Sequence, residues 1–287
     1  MFNKITDRVY YMDFKKESDR PVLGLVVGDN YSLVVDGGNS KAHAEEFLGY
    51  VAKLNVPPLK YLALTHWHWD HVFGITTMNL INIIGEKSNR KLKWMKGLEW
   101  TDKAIDERVE SGEEIEFCRE HIKVELPSND RYVEIPSADI VFKNFIEVDL
   151  GGVIVNIEHI DCDHSEDSVI VNIPGEKVTF LGDSLYMDMY RGEWSYSREK
   201  FYKLLEKLED YKSKYYIPAH HELYDFKGFR DFVRYEKSIG DIVGSSISLE
   251  ESLLNFEKIN NKRATEDEKE DLAAFVEGNK KNLTTKI

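Results

Sequence analysis

The N-terminal third of the chain alternates short apolar runs with turn residues. Those runs carry the β-branched and aromatic residues that suit a pleated, half-buried surface. Val9 to Met12, Val22 to Val27 and Tyr31 to Val35 predict three strands, and Met1-Phe2-Asn3-Lys4 leads straight into strand-like sequence. Asp36-Gly37-Gly38 ends the third strand. Ser40 then stands as an N-cap before Ala44, Phe47, Leu48, Val51 and Leu54, whose spacing predicts a helix that Pro57-Pro58 stops. Tyr61 to Leu64 is a short apolar run of the kind that forms a buried strand, and it empties into a histidine-rich segment.

The pattern changes between about 86 and 137, where charge dominates and the stretch from Leu98 to Glu120 has helical spacing. This region is expected to be an insertion capping one face of the domain. Strands resume at Val141 to Phe142, Ile146 to Leu150 and Val153 to Ile157. Val169 to Ile173 and Val178 to Leu181 form a hairpin pattern across Pro174-Gly175. Phe201, Leu204, Leu205, Leu208 and Tyr211 mark an amphipathic helix, and Tyr215 to Ile217 a further strand. From Gly228 the pattern is helical and increasingly polar, with a surface helix and frayed tail expected over 265–287. Strands alternating with helices in both halves predict a layered α/β architecture. Residues 1–225 form the domain, and 226–287 a helical extension packed on it.

Charge narrows the partners. The net charge of -14 opposes a phosphate backbone, so nucleic-acid binding is not expected and a small-molecule substrate is. Two cysteines, Cys118 and Cys162, make no disulfide framework and fit a reducing compartment. No leader pattern and no membrane-length apolar run is present, so a cytoplasmic location is expected.

Residues 65–74 read Thr-His-Trp-His-Trp-Asp-His-Val-Phe-Gly. Imidazole and carboxylate are the usual ligands of zinc and related divalent ions. If the segment leaves the strand extended, His66 and His68 point the same way and grip one metal. Asp70 and His71 follow where the chain turns and serve a second. A run of ordinary histidines would leave this concentration of polar groups at the end of a buried strand unexplained.

His-x-His-x-Asp-His after a hydrophobic strand resembles the signature of the metallo-β-lactamase superfamily. Three later motifs extend the resemblance over roughly residues 5–225: His164 in Asp163-His164-Ser165, Asp183 in Leu181-Gly182-Asp183, and His220 in Pro218-Ala219-His220. The resemblance implies a four-layer αββα sandwich with its site where the sheets meet. It implies that His66, His68 and His164 bind one metal, that Asp70, His71 and His220 bind another, and that Asp183 bridges them. The two divalent ions would be Zn2+ in the first place, with iron or manganese as alternatives. Cys162-Asp163 stands where the family has Pro-Gly, and Ala219 where it has glycine. His221 is the alternative last ligand. Asp36 is either a support for a ligand histidine or a turn residue. Trp67 and Trp69 either wall the site or pack in the core. His43, His121 and His159 have no motif support.

In such a site the metals share a water whose pKa they lower, and the resulting hydroxide attacks a carbonyl, oriented by Asp70. Tyr186 resembles the tyrosine with which some superfamily lactonases hold the substrate carbonyl. The expected activity is hydrolysis of an ester, thioester or lactone. Asp183 in place of cysteine and the missing leader count against a resistance β-lactamase, and the acidity against a nuclease. The alternatives are a β-lactamase-like or phosphodiester hydrolase, a mononuclear iron oxidoreductase of persulfide-dioxygenase type, and a non-catalytic metal-holding scaffold or sensor.

Overall fold

The computed structural model describes residues 1–129 and 131–284; the last three residues of the stretch 265–287, where a frayed tail is expected, lie outside the described residues. Its core is two sheets face to face. The first has seven strands in chain order: β1 (Phe2–Lys4), β2 (Val9–Met12), β3 (Leu23–Val27), β4 (Ser32–Val35), β5 (Leu59–Ala63), β6 (Ile81–Gly85) and β7 (Ile140–Phe142). The second has six: β8 (Phe145–Asp149), β9 (Ile154–His159), β10 (Val169–Ile173), β11 (Val178–Gly182), β12 (Tyr215–Pro218) and β13 (Tyr224–Asp225), with β8 and β13 at its edges.

Strand periodicity sorts the side chains into layers. Val26, Leu33, Val35 and Ala63 point into the space between the sheets and meet Val155, Ile157, Val169, Val171 and Phe180. Their neighbours Leu25, Val27, Val34, Leu62 and Leu64 point outward against helices. β4 and β5 are covered on both faces, which is why their sequences read as continuous apolar runs rather than as an alternation.

Helices cover the outer faces. On the first sheet lie α1 (Lys41–Val51), capped by Ser40 accepting from the His43 N–H at 3.0 Å, then α2 (Trp69–Val72) and α3 (Ile75–Met78). With them lie α4 (Glu86–Met95), α5 (Asp102–Ser111) and α6 (Glu116–Glu125). On the second lie α7 (Arg198–Asp210), α8 (Phe226–Val243), α9 (Leu249–Asn260) and α10 (Glu266–Thr284). Their apolar faces bury Phe201, Leu205, Phe229, Leu272 and Phe275 against Ile170, Leu181 and Tyr216. The fold is thus a four-layer αββα sandwich.

Two segments differ from the sequence pattern. The apolar stretch before the charged region forms β6, which pairs parallel with β5 and β7. The connection between β6 and β7 carries α4, α5 and α6, and this is the charged excursion. The helical stretch expected from Leu98 to Glu120 breaks into α5 and α6, with Gly112 as the left-handed C-cap of α5 at φ +76.

Candidate metal centre

Most of the chemistry-bearing residues lie just past strand ends, and those ends converge. The chain leaves β5 at Ala63 and reaches His66 three residues on, Asp183 follows β11 directly, His220 stands two residues past β12, and His164 lies in the loop between β9 and β10. Two hydrogen bonds fasten the sheets together here. Val169 N–H donates to the Thr65 carbonyl at 2.8 Å, and Trp67 N–H to Asp167 Oδ2 at 3.0 Å. Gly182 lets the strands come this close: its φ is +52, and a Cβ there would stand 2.8 Å from the Thr65 side chain.

The seven candidate ligands fall into two groups. In the first, His66 Nε2 and His164 Nε2 lie 3.0 and 2.9 Å from His68 Nδ1, and Asp183 Oδ2 lies 3.6 and 3.3 Å from His66 and His164. In the second, Asp70 Oδ2 lies 3.0 Å from His71 Nε2 and 3.1 Å from His220 Nε2. Asp183 Oδ2 lies 3.5 and 3.7 Å from the same two nitrogens. One oxygen, Asp183 Oδ2, therefore belongs to both groups. Four ligands about 2.05 Å from a tetrahedral zinc stand about 3.3 Å from one another, so both groups have the spread of a coordination shell. All seven side chains are less than a fifth exposed.

The polar atoms also point where ligands should. His71 Nε2 and Asp183 Oδ1 are buried and make no hydrogen bond of good geometry. His71 Nε2 approaches Asp70 closely yet is not aimed at it, which is what atoms directed at a shared point show. Orphaned buried groups of this kind are costly, and a divalent ion satisfies them. The donor set fits such an ion.

Four of the five histidines have a polar group behind the ring nitrogen that faces away from the site, three at hydrogen-bond geometry and His220 at ion-pair distance. His71 Nδ1 lies 2.8 Å from Asp36 Oδ2. His66 Nδ1 lies 3.2 Å from Thr65 Oγ1, His164 Nδ1 3.3 Å from the Met187 carbonyl, and His220 Nδ1 3.4 Å from Asp19 Oδ1. Asp36 also accepts from Thr65 N–H at 2.7 Å and Thr65 Oγ1 at 2.8 Å, so it holds the His71 ring from a left-handed position at φ +63. Outer partners of this kind usually carry about 10–100-fold in metal affinity. Changing Asp36→Ala is expected to weaken the group containing His71 by that factor, with the other group unaffected, as read by metal titration.

Electrostatics separate the two groups. Burial holds His66 and His68 well below the usual imidazole range, helped by neighbouring histidines. Burial also works against charge on His71 and His220, but carboxylates outweigh it. Asp70, Asp36 and Asp183 raise His71, and Asp183, Asp19 and Asp70 raise His220 to about 9. A metal entering the second group must displace those protons. Its apparent affinity should therefore fall as pH drops from about 9 toward neutrality, while the first group, with His66 and His68 already neutral, should change little. Zinc titrations between about pH 6.5 and 8.5 check this.

The departures in the motifs have local explanations. Asp163 is buried and accepts from Ser197 N–H at 2.9 Å, with Lys200 3.2 Å away, so it ties the His164 loop to the start of α7. His220 is drawn into the second group, whereas exposed His221 packs on Tyr186 at 5.2 Å. Cys162 donates to the Ser165 carbonyl, its thiol pushed up to about 11 by burial. Trp69 is core, against Phe73. Trp67 packs on His68 at 4.8 Å. His43, His121 and His159 lie outside both groups.

Tyr186 rings lie 5.9 Å from His164 and 6.1 Å from His220. Its hydroxyl is buried without a hydrogen bond, and burial together with Asp183 pushes its pKa well above the usual phenol value. It is an uncommitted neutral donor. Sequence reasoning missed Asp19, Thr65 and Tyr190. Tyr190 packs on His68 at 5.2 Å and donates to Glu114 at 2.9 Å, with Cys118 Sγ 3.4 Å from its hydroxyl. The charged excursion thus reaches within one side chain of His68.

A family model described as the metallo-beta-lactamase superfamily matches residues 21–220. Comparison with curated proteins finds no match. Among solved structures, a metallo-beta-lactamase from Pontibacter korlensis is similar at TM-score 0.56 and 17% identity, over 82% of this chain and 97% of that one. One from Hirschia baltica reaches 0.54 at 15% identity, over 82% and 96%. A stereoselective inverting sec-alkylsulfatase from Pseudomonas sp. reaches 0.65 at 12% identity, over 97% of this chain and 48% of that one. At these identities the likeness is one of fold. Among the described residues no helix is long and apolar enough to cross a membrane.

Proposed function

This chain belongs to the metallo-beta-lactamase superfamily, and from that premise we propose that it is a dinuclear metal-dependent hydrolase acting on an ester, thioester or lactone. The observation that carries the reading is the sharing of Asp183 Oδ2 between two converging ligand groups. His66, His68 and His164 would hold one ion, Asp70, His71 and His220 the other, and Asp183 both. Zinc suits nitrogen and carboxylate donors in these numbers. Such ions, when bound, supply Lewis acidity and lower the pKa of a water they share.

The chain's own residues do the rest. Asp70, negative and held beside His71 and His220, would accept a hydrogen bond from the attacking water and orient it toward the substrate carbon. Burial of the ligands keeps bulk water from competing. Tyr186, neutral and uncommitted, donates to the carbonyl oxygen as charge builds there. The excursion carrying Glu114 and Cys118 would form one wall of the substrate's approach, through Tyr190.

One observation favours a second reading, cleavage of a sulfate ester. The likeness to the alkylsulfatase extends over nearly the whole chain, C-terminal helices included. A panel of esters, thioesters, lactones, alkyl sulfates and cephalosporins, assayed with zinc-loaded and metal-stripped protein, decides between them. Metal-dependent turnover of the acyl substrates supports the first reading. Turnover of alkyl sulfates alone replaces it with the second.

A further inference from the structure

His220 is held from behind by a segment that ends just before the stretch matching the family model. A short 3₁₀ turn, Lys16–Ser18, leads into Asp19, whose φ of +52 is left-handed, a region that costs a residue with a side chain energy. The surroundings fix it there. Asn39 Nδ2 donates to the carbonyls of Ser18 and Asp19 at 2.8 and 3.3 Å. Arg20 reaches Glu125 through two nitrogens at 3.0 and 2.7 Å, and Glu46 at 2.8 Å.

The result is a carboxylate only 13% exposed, placed beside two others, Asp70 and Asp183, which repel it. Packing alone gives no reason for a third acid in this place, since an unpaired buried carboxylate is strongly unfavourable. Among the described residues its ion-pair partner is His220, whose Nδ1 lies 3.4 Å away. His71 has the matching arrangement, with Asp36 behind its Nδ1. In the first group His66 and His164 are backed by neutral atoms, Thr65 Oγ1 and the Met187 carbonyl.

We infer that Asp19 is a positioning residue for the second metal group: it orients His220, sets its tautomer and, with Asp36, makes that group the more anionic of the two. The N-terminal turn is then part of the metal centre, fastened to α1 through Glu46 and to α6 through Glu125. The inference rests on the dinuclear reading.

Two variants test it. Glycine takes a left-handed φ without strain, so Asp19→Gly removes the carboxylate and keeps the backbone. Asp19→Asn keeps size, an acceptor oxygen and tolerance of that φ but not the charge. In zinc titrations Asp19→Gly should bind the second ion about 10–100-fold more weakly and the first unchanged, with Asp19→Asn between it and the native chain. The His220 ring nitrogen signals of the zinc-loaded protein should shift in the glycine variant, and the melting temperature without metal should stay native. If both variants bind two ions as the native chain does, or lose both alike, Asp19 has no such role. A native chain that binds fewer than two ions instead contradicts the dinuclear reading itself, and the role of Asp19 falls with it.

Discussion

Changing Asp70→Asn is expected to lower turnover by about 10²–10⁴-fold, the scale that positioned proton-handling groups carry. Asparagine keeps the size and one oxygen but loses the charge. In the structure Asp70 Oδ2 lies 3.0 Å from His71 Nε2 and 3.1 Å from His220 Nε2, which places this carboxylate within the second group. Metal in the first group should survive, because His66, His68 and His164 are untouched. The effect should fall on kcat with little change in KM, because the orienting contact matters in the transition state. Steady-state kinetics on whichever substrate the panel yields, with metal content measured on the same sample, reads both. Near-native turnover with both ions bound would remove the orienting role from Asp70.

Changing Asp183→Ala should have the larger effect on metal. The other ligands each belong to one group, whereas Asp183 Oδ2 belongs to both. Removing it takes an anionic donor from each ion and leaves His71 and His220 facing one carboxylate fewer. The loss should exceed the roughly 100-fold that outer-shell partners reach, and it should appear at both groups together. In the metal-free protein burial opposes charge on Asp183, yet His220, His71 and His164 hold its carboxyl well below the usual carboxylate range. Its removal therefore also breaks buried ion pairs and should lower the melting temperature of the apo protein. The bridging role is read from the zinc titration instead: both ions are expected to weaken together, whereas a role in one group alone would weaken one.

Much of this was legible in the sequence for physical reasons. A buried strand gives a continuous apolar run, so Tyr61 to Leu64 identified the strand that delivers His66. The turn pair Pro174-Gly175 identified the β10–β11 hairpin that delivers Asp183. The spacing of His66, His68, Asp70 and His71 reflects local geometry: two side chains on one face of an extended stretch, then two on the first turn of α2.

What was not legible depends on distant chain. Leu80 to Gly85 is a short apolar run without alternation, and only its pairing between β5 and β7 makes it a strand. Asp19 looks like any acid in a polar turn until the fold brings it against His220, two hundred residues on in round terms. Asp36 read equally well as a turn residue, and its two hydrogen bonds to Thr65 with the one to His71 decide the matter. Tyr190 had no motif at all. Its meaning comes from the excursion folding back so that Glu114 and Cys118 meet its hydroxyl. Trp69 shows the reverse case, a residue inside the motif whose side chain simply packs in the core.

The seven side chains are proposed to hold two ions through one shared carboxylate oxygen. This is tested by the metal stoichiometry of the native chain, stripped with chelator and titrated with zinc near pH 8. Two ions per chain are expected, with the second binding step weakening as pH falls and the first nearly constant. Saturation at one ion per chain, or no specific uptake, would show that the shared-carboxylate site does not form.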